Sequence, residues 1–152
     1  ARKGGGVNGV VVDTSAVVAI VTQELGHRQL TEHLGSAVQR WITAPNALEL
    51  TMVLEGRFAV RAGAGTRVQR DLDIEIVAFT PAVTNRSSDA WRRFGKGRHP
   101  AALNFGDCCT YALAEETGWP ILCTGDDFAR TGWPVLRPDP ADPTPHAPHV
   151  GS

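Results

Sequence analysis

The sequence lacks any long apolar run: its longest, AVVAIV at Ala16 to Val21, falls far short of the roughly 18 residues that span a membrane. The leading ARKGGG has no apolar core of the kind a signal peptide needs. Both absences point to a soluble, cytoplasmic protein with no membrane association. Cysteine is scarce, with two adjacent (Cys108, Cys109) and one remote (Cys123), which makes neither a CxxC pair nor an even disulfide framework. A reduced compartment fits, and structural zinc does not. An excess of one charge is also missing, since 15 Lys and Arg face 16 Asp and Glu. Bulk charge therefore does not hold a polyanion here, and any nucleic acid must meet a local basic patch.

What is present divides into a body and two ends. Residues 1–6 are Gly-rich and read as a flexible segment or tag, residues 7–137 as one domain, and residues 138–152 as a Pro-rich disordered tail. About 130 residues suffice for a core without covalent staples. VNGVVVD (Val7 to Asp13) is a β-branched run suited to a strand buried on both faces, and Thr14 and Ser15 offer caps to the apolar helix that follows. Further helices are expected over His27 to Ala37, from Pro45 to about Val60, from about Thr66, over Pro81 to Phe94, and from about Gly106 to Thr117. Asn104 is the expected cap of the last, and Gly118 its end. Strands are expected at RWIT (Arg40 to Thr43), EIVAFT (Glu75 to Thr80), PILCT (Pro120 to Thr124) and WPVLRP. This alternation predicts an α/β fold, a parallel β-sheet flanked by helices on both faces.

Functional groups in such sheets gather at the carboxyl ends of strands. Asp13 ends the first strand, and Asp126 and Asp127 follow PILCT. Glu49 lies one turn after Pro45, and its helical neighbours Met52 and Val53 put it on the face expected to pack inward. Asp107 falls in a first helical turn behind Gly106, which permits close backbone approach. Singly, each acid has an ordinary explanation as a cap, a dipole partner or a turn residue. Together they form a cluster that must protonate or take up a cation. Oxygen donors without His or Cys pairs select hard ions, Mg²⁺ or Mn²⁺, and such a site suits phosphodiester hydrolysis.

VVVDTSAVVAIV, ALELTMVLE, GKGRHPAALNFGDCCTYALA and PILCTGDDF resemble the four acidic motifs of the PIN domain, and most closely the VapC toxins of type II toxin-antitoxin pairs. The resemblance covers essentially the whole body. It implies a PIN-like fold, a metal-dependent endoribonuclease acting on RNA with Mg²⁺ or Mn²⁺, a homodimer, and inhibition by a VapB-type antitoxin. By the same resemblance Asp13 and Asp107 are the principal metal ligands, Glu49 positions the metal or its water, and Ser15 orients Asp13. The fourth motif is one residue short of the commoner TxDxDF. Asp126 keeps the register from Thr124, Asp127 keeps the register from Phe128, and Asp126 is taken here as the fourth acid.

Arg92, Arg93, Lys96, Arg98 and His99 form a basic segment just before the Asp107 helix, and the first four are the candidates for RNA phosphate contact. Cys108 and Cys109 read as buried small hydrophobes, and Trp41, Trp91, Trp119 and Trp133 form no stacking platform by sequence. Two other functions remain open. One is a PIN-like RNA-binding protein with a weak metal site. The other is a phosphatase using Asp13 as nucleophile, against which stands the missing second acid of a DxD pair.

Overall fold

The computed structural model describes residues 8–139. The expectation of a flexible leader over residues 1–6 lies outside the described residues, and so does that of a disordered tail over residues 138–152 apart from Pro138 and Asp139. Five parallel strands run in the order β3-β2-β1-β4-β5: β1 Gly9–Val12, β2 Gln39–Thr43, β3 Glu75–Val77, β4 Ile121–Leu122 and β5 Val135–Leu136. Six α-helices connect them: α1 Thr14–Val21, α2 His27–Ser36, α3 Ala44–Met52, α4 Ala64–Asp71, α5 Pro81–Phe94 and α6 Phe105–Thr117. Side chains alternate faces along a strand, and β1 uses both. Val10 and Val12 join an apolar cluster with Ala16, Val17, Leu30, Leu34 and Leu50. Val11 joins a second with Ala90, Leu103, Tyr111, Ala114 and Ile121. Helices therefore cover both faces, as the alternation predicts.

Three local differences have physical causes. The helix expected to reach Val60 leaves α geometry after Met52 and closes as a wide π-turn over Val53–Arg57, where β-branched Val53 and Gly56 are weak helix formers. Asp13, rather than Thr14 or Ser15, caps α1, accepting from the Ser15 backbone N–H. The tryptophans are less scattered than their positions suggest. Trp41 and Trp119 pack with ring centroids 4.6 Å apart, and the Trp133 indole N–H donates to the Trp119 carbonyl at 2.9 Å. The Trp119 ring lies against Gly9 where any side chain would collide with it. Among the described residues, no helix is long and apolar enough to cross a membrane.

Candidate active site

Strands β1 and β4 are neighbours, and the chain leaves β1 toward β2 but leaves β4 toward β5, so the connections diverge between them and the crevice that such a switch opens lies at the strands' carboxyl ends. The two ends are tied together: the Asp13 N–H donates to the Leu122 carbonyl at 2.9 Å, and the Thr124 N–H donates to Ser15 Oγ at 3.1 Å. Asp13 is only 5% exposed, yet both its oxygens are served. Ser15 Oγ donates to Oδ2 at 2.6 Å and Thr110 Oγ1 donates to Oδ1 at 2.8 Å. Burial pushes its carboxyl up, the Ser15 and Thr110 hydrogen bonds pull it back, and the charge of Glu49 adds to the rise.

Asp107 enters from the first turn of α6. Asn104 and Asp107 form a capping box, with the Asp107 N–H donating to Asn104 Oδ1 at 2.9 Å and the Asn104 N–H donating to Asp107 Oδ2 at 3.1 Å. Burial, then Asp13, and also Asp127 and Glu49, push the Asp107 carboxyl up to about 7, against the lowering effect of the Asn104 hydrogen bond. Glu49 reaches the same rim from α3, its carboxylate pressed on Gly106 so closely that a Cβ there would stand 2.6 Å from Oε2. The face shared with Met52 does not pack inward as expected. Met52, one turn on, is 66% exposed, and Glu49 faces α6 across the crevice rather than the apolar core.

Asp126 and Asp127 separate. The Asp126 side chain is 66% exposed and pairs with Arg137, whereas the charge of Asp127 is among those acting on Asp107 and on Cys123. The sequence register favours Asp126, whose carboxylate is already paired with Arg137, whereas that of Asp127 makes no ion pair among the described residues. The basic segment also divides. Arg93 is committed within the fold, pairing with Asp89 at 2.9 Å and Glu115 at 3.1 Å and lying over the Phe94 and Tyr111 rings. That departs from its expected availability to phosphate. Arg98 stacks over exposed Trp91 at 4.2 Å, while Arg92 and Lys96 are exposed and pair with no acid among the described residues. His99 Nδ1 accepts from the Ala101 N–H at 2.9 Å, a structural role.

The donor set suits a hard cation. Cys108, Cys109 and Cys123 are buried, and burial pushes their thiols up to about 11, 12 and 12, so none offers a thiolate. Among the described residues, no three His, Cys, Asp or Glu side chains converge tightly enough to hold an ion unaided. A pair of aspartates fits an ion that keeps most of its water, as Mg²⁺ does, and raised carboxyls crowded by like charge are what such an ion would relieve. Sequence reasoning missed two neutral members. Thr110 lies three residues after Asp107, and Asn46 three before Glu49, so each shares its acid's helix face. Asn46 Nδ2 donates to the Gly106 carbonyl at 3.0 Å.

A PIN domain family model matches residues 10–134. Ribonuclease VapC36 of Mycobacterium tuberculosis is 40% identical over 124 residues, covering 80% of this chain and 89% of that protein. Ribonuclease VapC of Mycolicibacterium smegmatis is 37% identical over 129 residues, covering 80% and 95%. Among solved structures, Mycobacterium tuberculosis VapC20, described as a sarcin-ricin loop cleaving toxin, superposes with a TM-score of 0.67 at 18% identity, covering 85% of this chain and 99% of that one. A toxin-antitoxin complex from Klebsiella pneumoniae gives 0.59 at 17% identity, covering 79% and 90%. The sheet order, the rim of acids and 40% identity across the body lead to one placement: the chain belongs to the PIN-domain family, in its VapC branch.

Proposed function

We propose that this chain is an endoribonuclease toxin of a VapBC-type pair, hydrolysing RNA phosphodiesters with a divalent cation, Mg²⁺ or Mn²⁺, held by Asp13 and Asp107. The observation that carries the reading is geometric: Thr110, one turn after Asp107 on α6, donates to Asp13 Oδ1 at 2.8 Å, and the Glu49 carboxylate lies against Gly106 beside Asp107. When bound, the cation supplies Lewis-acid chemistry toward phosphate and water. Ser15 and Thr110 fix the two oxygens of Asp13, the capping box fixes Asp107, and Glu49 accepts a hydrogen bond from water entering opposite them. Asp127 takes the fourth acidic place and Asp126 does not. Lys96 and Arg98, with Arg92 beyond them, hold phosphates leading into the rim, and Arg93 contributes stability instead. The acids also suit a basic side chain of a VapB-type antitoxin, for which a guanidinium fork is well shaped. A homodimer is the expected assembly.

The test is cleavage of structured RNA by the purified chain with Mg²⁺ or Mn²⁺, with excess chelator, and with Asp13→Asn. Fragments formed only by the parental chain with metal are expected. Undiminished cleavage in chelator, or by Asp13→Asn, would overturn the reading. RNA binding without cleavage would favour the weak-site alternative, which the short fourth motif suggests and the position of Asp127 disfavours.

A further inference from the structure

Beneath the acids lies a buried, neutral, fully satisfied polar network. Thr110 on α6 is 0% exposed, and Asn46 on α3 and Thr43 at the end of β2 are each 1% exposed. The Thr110 hydroxyl has one proton and two acceptors in reach, Asp13 Oδ1 at 2.8 Å and Asn46 Oδ1 at 3.1 Å. The nearer acceptor, Asp13 Oδ1, takes the larger share. Asn46 cannot turn its amide over to serve Thr110 as a donor, because Nδ2 is engaged by the Gly106 carbonyl and Oδ1 also accepts from Thr43. The Asn46 carbonyl group in turn accepts from Thr14 Oγ1 at 3.1 Å. Every partner that fixes the Thr110 hydroxyl is thus itself fixed, by strand β2, helix α1 and the first turn of α6.

We propose that Thr110 is a positioning residue for the acidic site: its hydroxyl, braced by Asn46, sets the orientation of the Asp13 carboxylate and registers it against the α6 turn that carries Asp107. Ser15 holds only Oδ2 and belongs to the same turn as Asp13. Thr110 is the group that reports the place of α6 to Asp13. The inference rests on the metal-site reading above. A partner that orients a metal ligand typically changes metal affinity by roughly 10–100-fold when removed.

The experiment compares Thr110→Val, which keeps the shape without the hydroxyl, with Thr110→Ser, which restores the hydroxyl. Two quantities are read on the full chain: the Asp13 Cγ carbon resonance without metal, and the Mn²⁺ affinity by calorimetric titration. Thr110→Val should shift the resonance and weaken Mn²⁺ binding roughly tenfold or more, while Thr110→Ser stays near the parental chain in both. If Thr110→Val does not fold, Thr110→Ala takes its place in the same comparison. Parental values in Val or Ala, or a loss in Ser as large as in Val, overturns the proposal. If the parental chain takes up no Mn²⁺, the metal reading fails, and the Cγ resonance alone decides Thr110: a shift in Val but not Ser upholds it, and no shift overturns it.

Discussion

Glu49 and Gly106 are in contact through the absence of a side chain: the carboxylate of one occupies the space a Cβ on the other would need, 2.6 Å from Oε2. Gly106 lies inside helix α6, where alanine ordinarily gains about 0.5–1 kcal/mol over glycine. Gly106→Ala should therefore reverse the usual sign. We expect destabilisation of about 1–3 kcal/mol by overpacking, read from urea midpoints, together with loss of metal-dependent RNA cleavage as Glu49 is displaced. A stabilised, fully active Gly106→Ala chain would contradict the contact.

Asp107 makes the metal-free protein sensitive to pH. Its carboxyl is held at about 7 in the fold against an ordinary 3.8, so folding favours the protonated form. Stability is complete below about 4, falls as the pH rises from there to about 7, and is level above, with a loss on the order of a few kcal/mol at most. Asp107→Asn should flatten the fall over that window. Urea midpoints taken in chelator from pH 4 to 8 measure it, and an unchanged slope in the variant would count against the assignment.

Asp126→Asn and Asp127→Asn should part company. The first releases Arg137 from an exposed pair, worth roughly 0–1 kcal/mol, and leaves cleavage near parental. The second should reduce metal-dependent cleavage and lower the Asp107 carboxyl by removing a neighbouring negative charge. Equal activities of the two variants would return the fourth acid to an open choice.

For the basic segment, Lys96→Ala with Arg98→Ala should flatten the salt dependence of RNA affinity by about 0.7 per lost contact on a log–log plot, if the RNA is single-stranded there. Arg93→Ala should instead lower stability, because Arg93 joins α5 to Glu115 of α6 and covers two rings, and should leave the salt slope in place. A change of slope in Arg93→Ala alone would reverse the division.

What the sequence revealed follows the range of the interactions concerned. The buried β1 run, the Asn104 cap and the Pro81 helix start rest on neighbours a few residues apart, and each appears where its local pattern places it. Asp13, Glu49 and Asp107 stood out in the sequence as a group, since acids at separated places that one fold can bring to a rim call for a common explanation that none needs singly. Thr110 and Asn46 make no such demand, since neutral polar residues on helices are ordinary. Their spacing of three from an acid was the available signal. The pairing of Asp126 with Arg137 and the commitment of Arg93 to Glu115 depend on partners that no local pattern announces. Glu49 shows the limit of a helical-face argument, because the face marked by Met52 is open to solvent.

The central place of β1 has a consequence in time. Val11 pairs with Ile121, and the Asp13 N–H is satisfied by the Leu122 carbonyl, so β1 waits for β4, the fourth strand of the described residues, before its second edge is closed. Domains emerge from the ribosome N-terminus first, and long-range pairings of this kind form late. Asp13 is synthesised well before β4, but its tie to Leu122, and that of Ser15 to Thr124, cannot exist until β4 and the turn after it have left the exit tunnel. Until β4 has emerged, the second edge of β1 stays open, by the order of the strands alone.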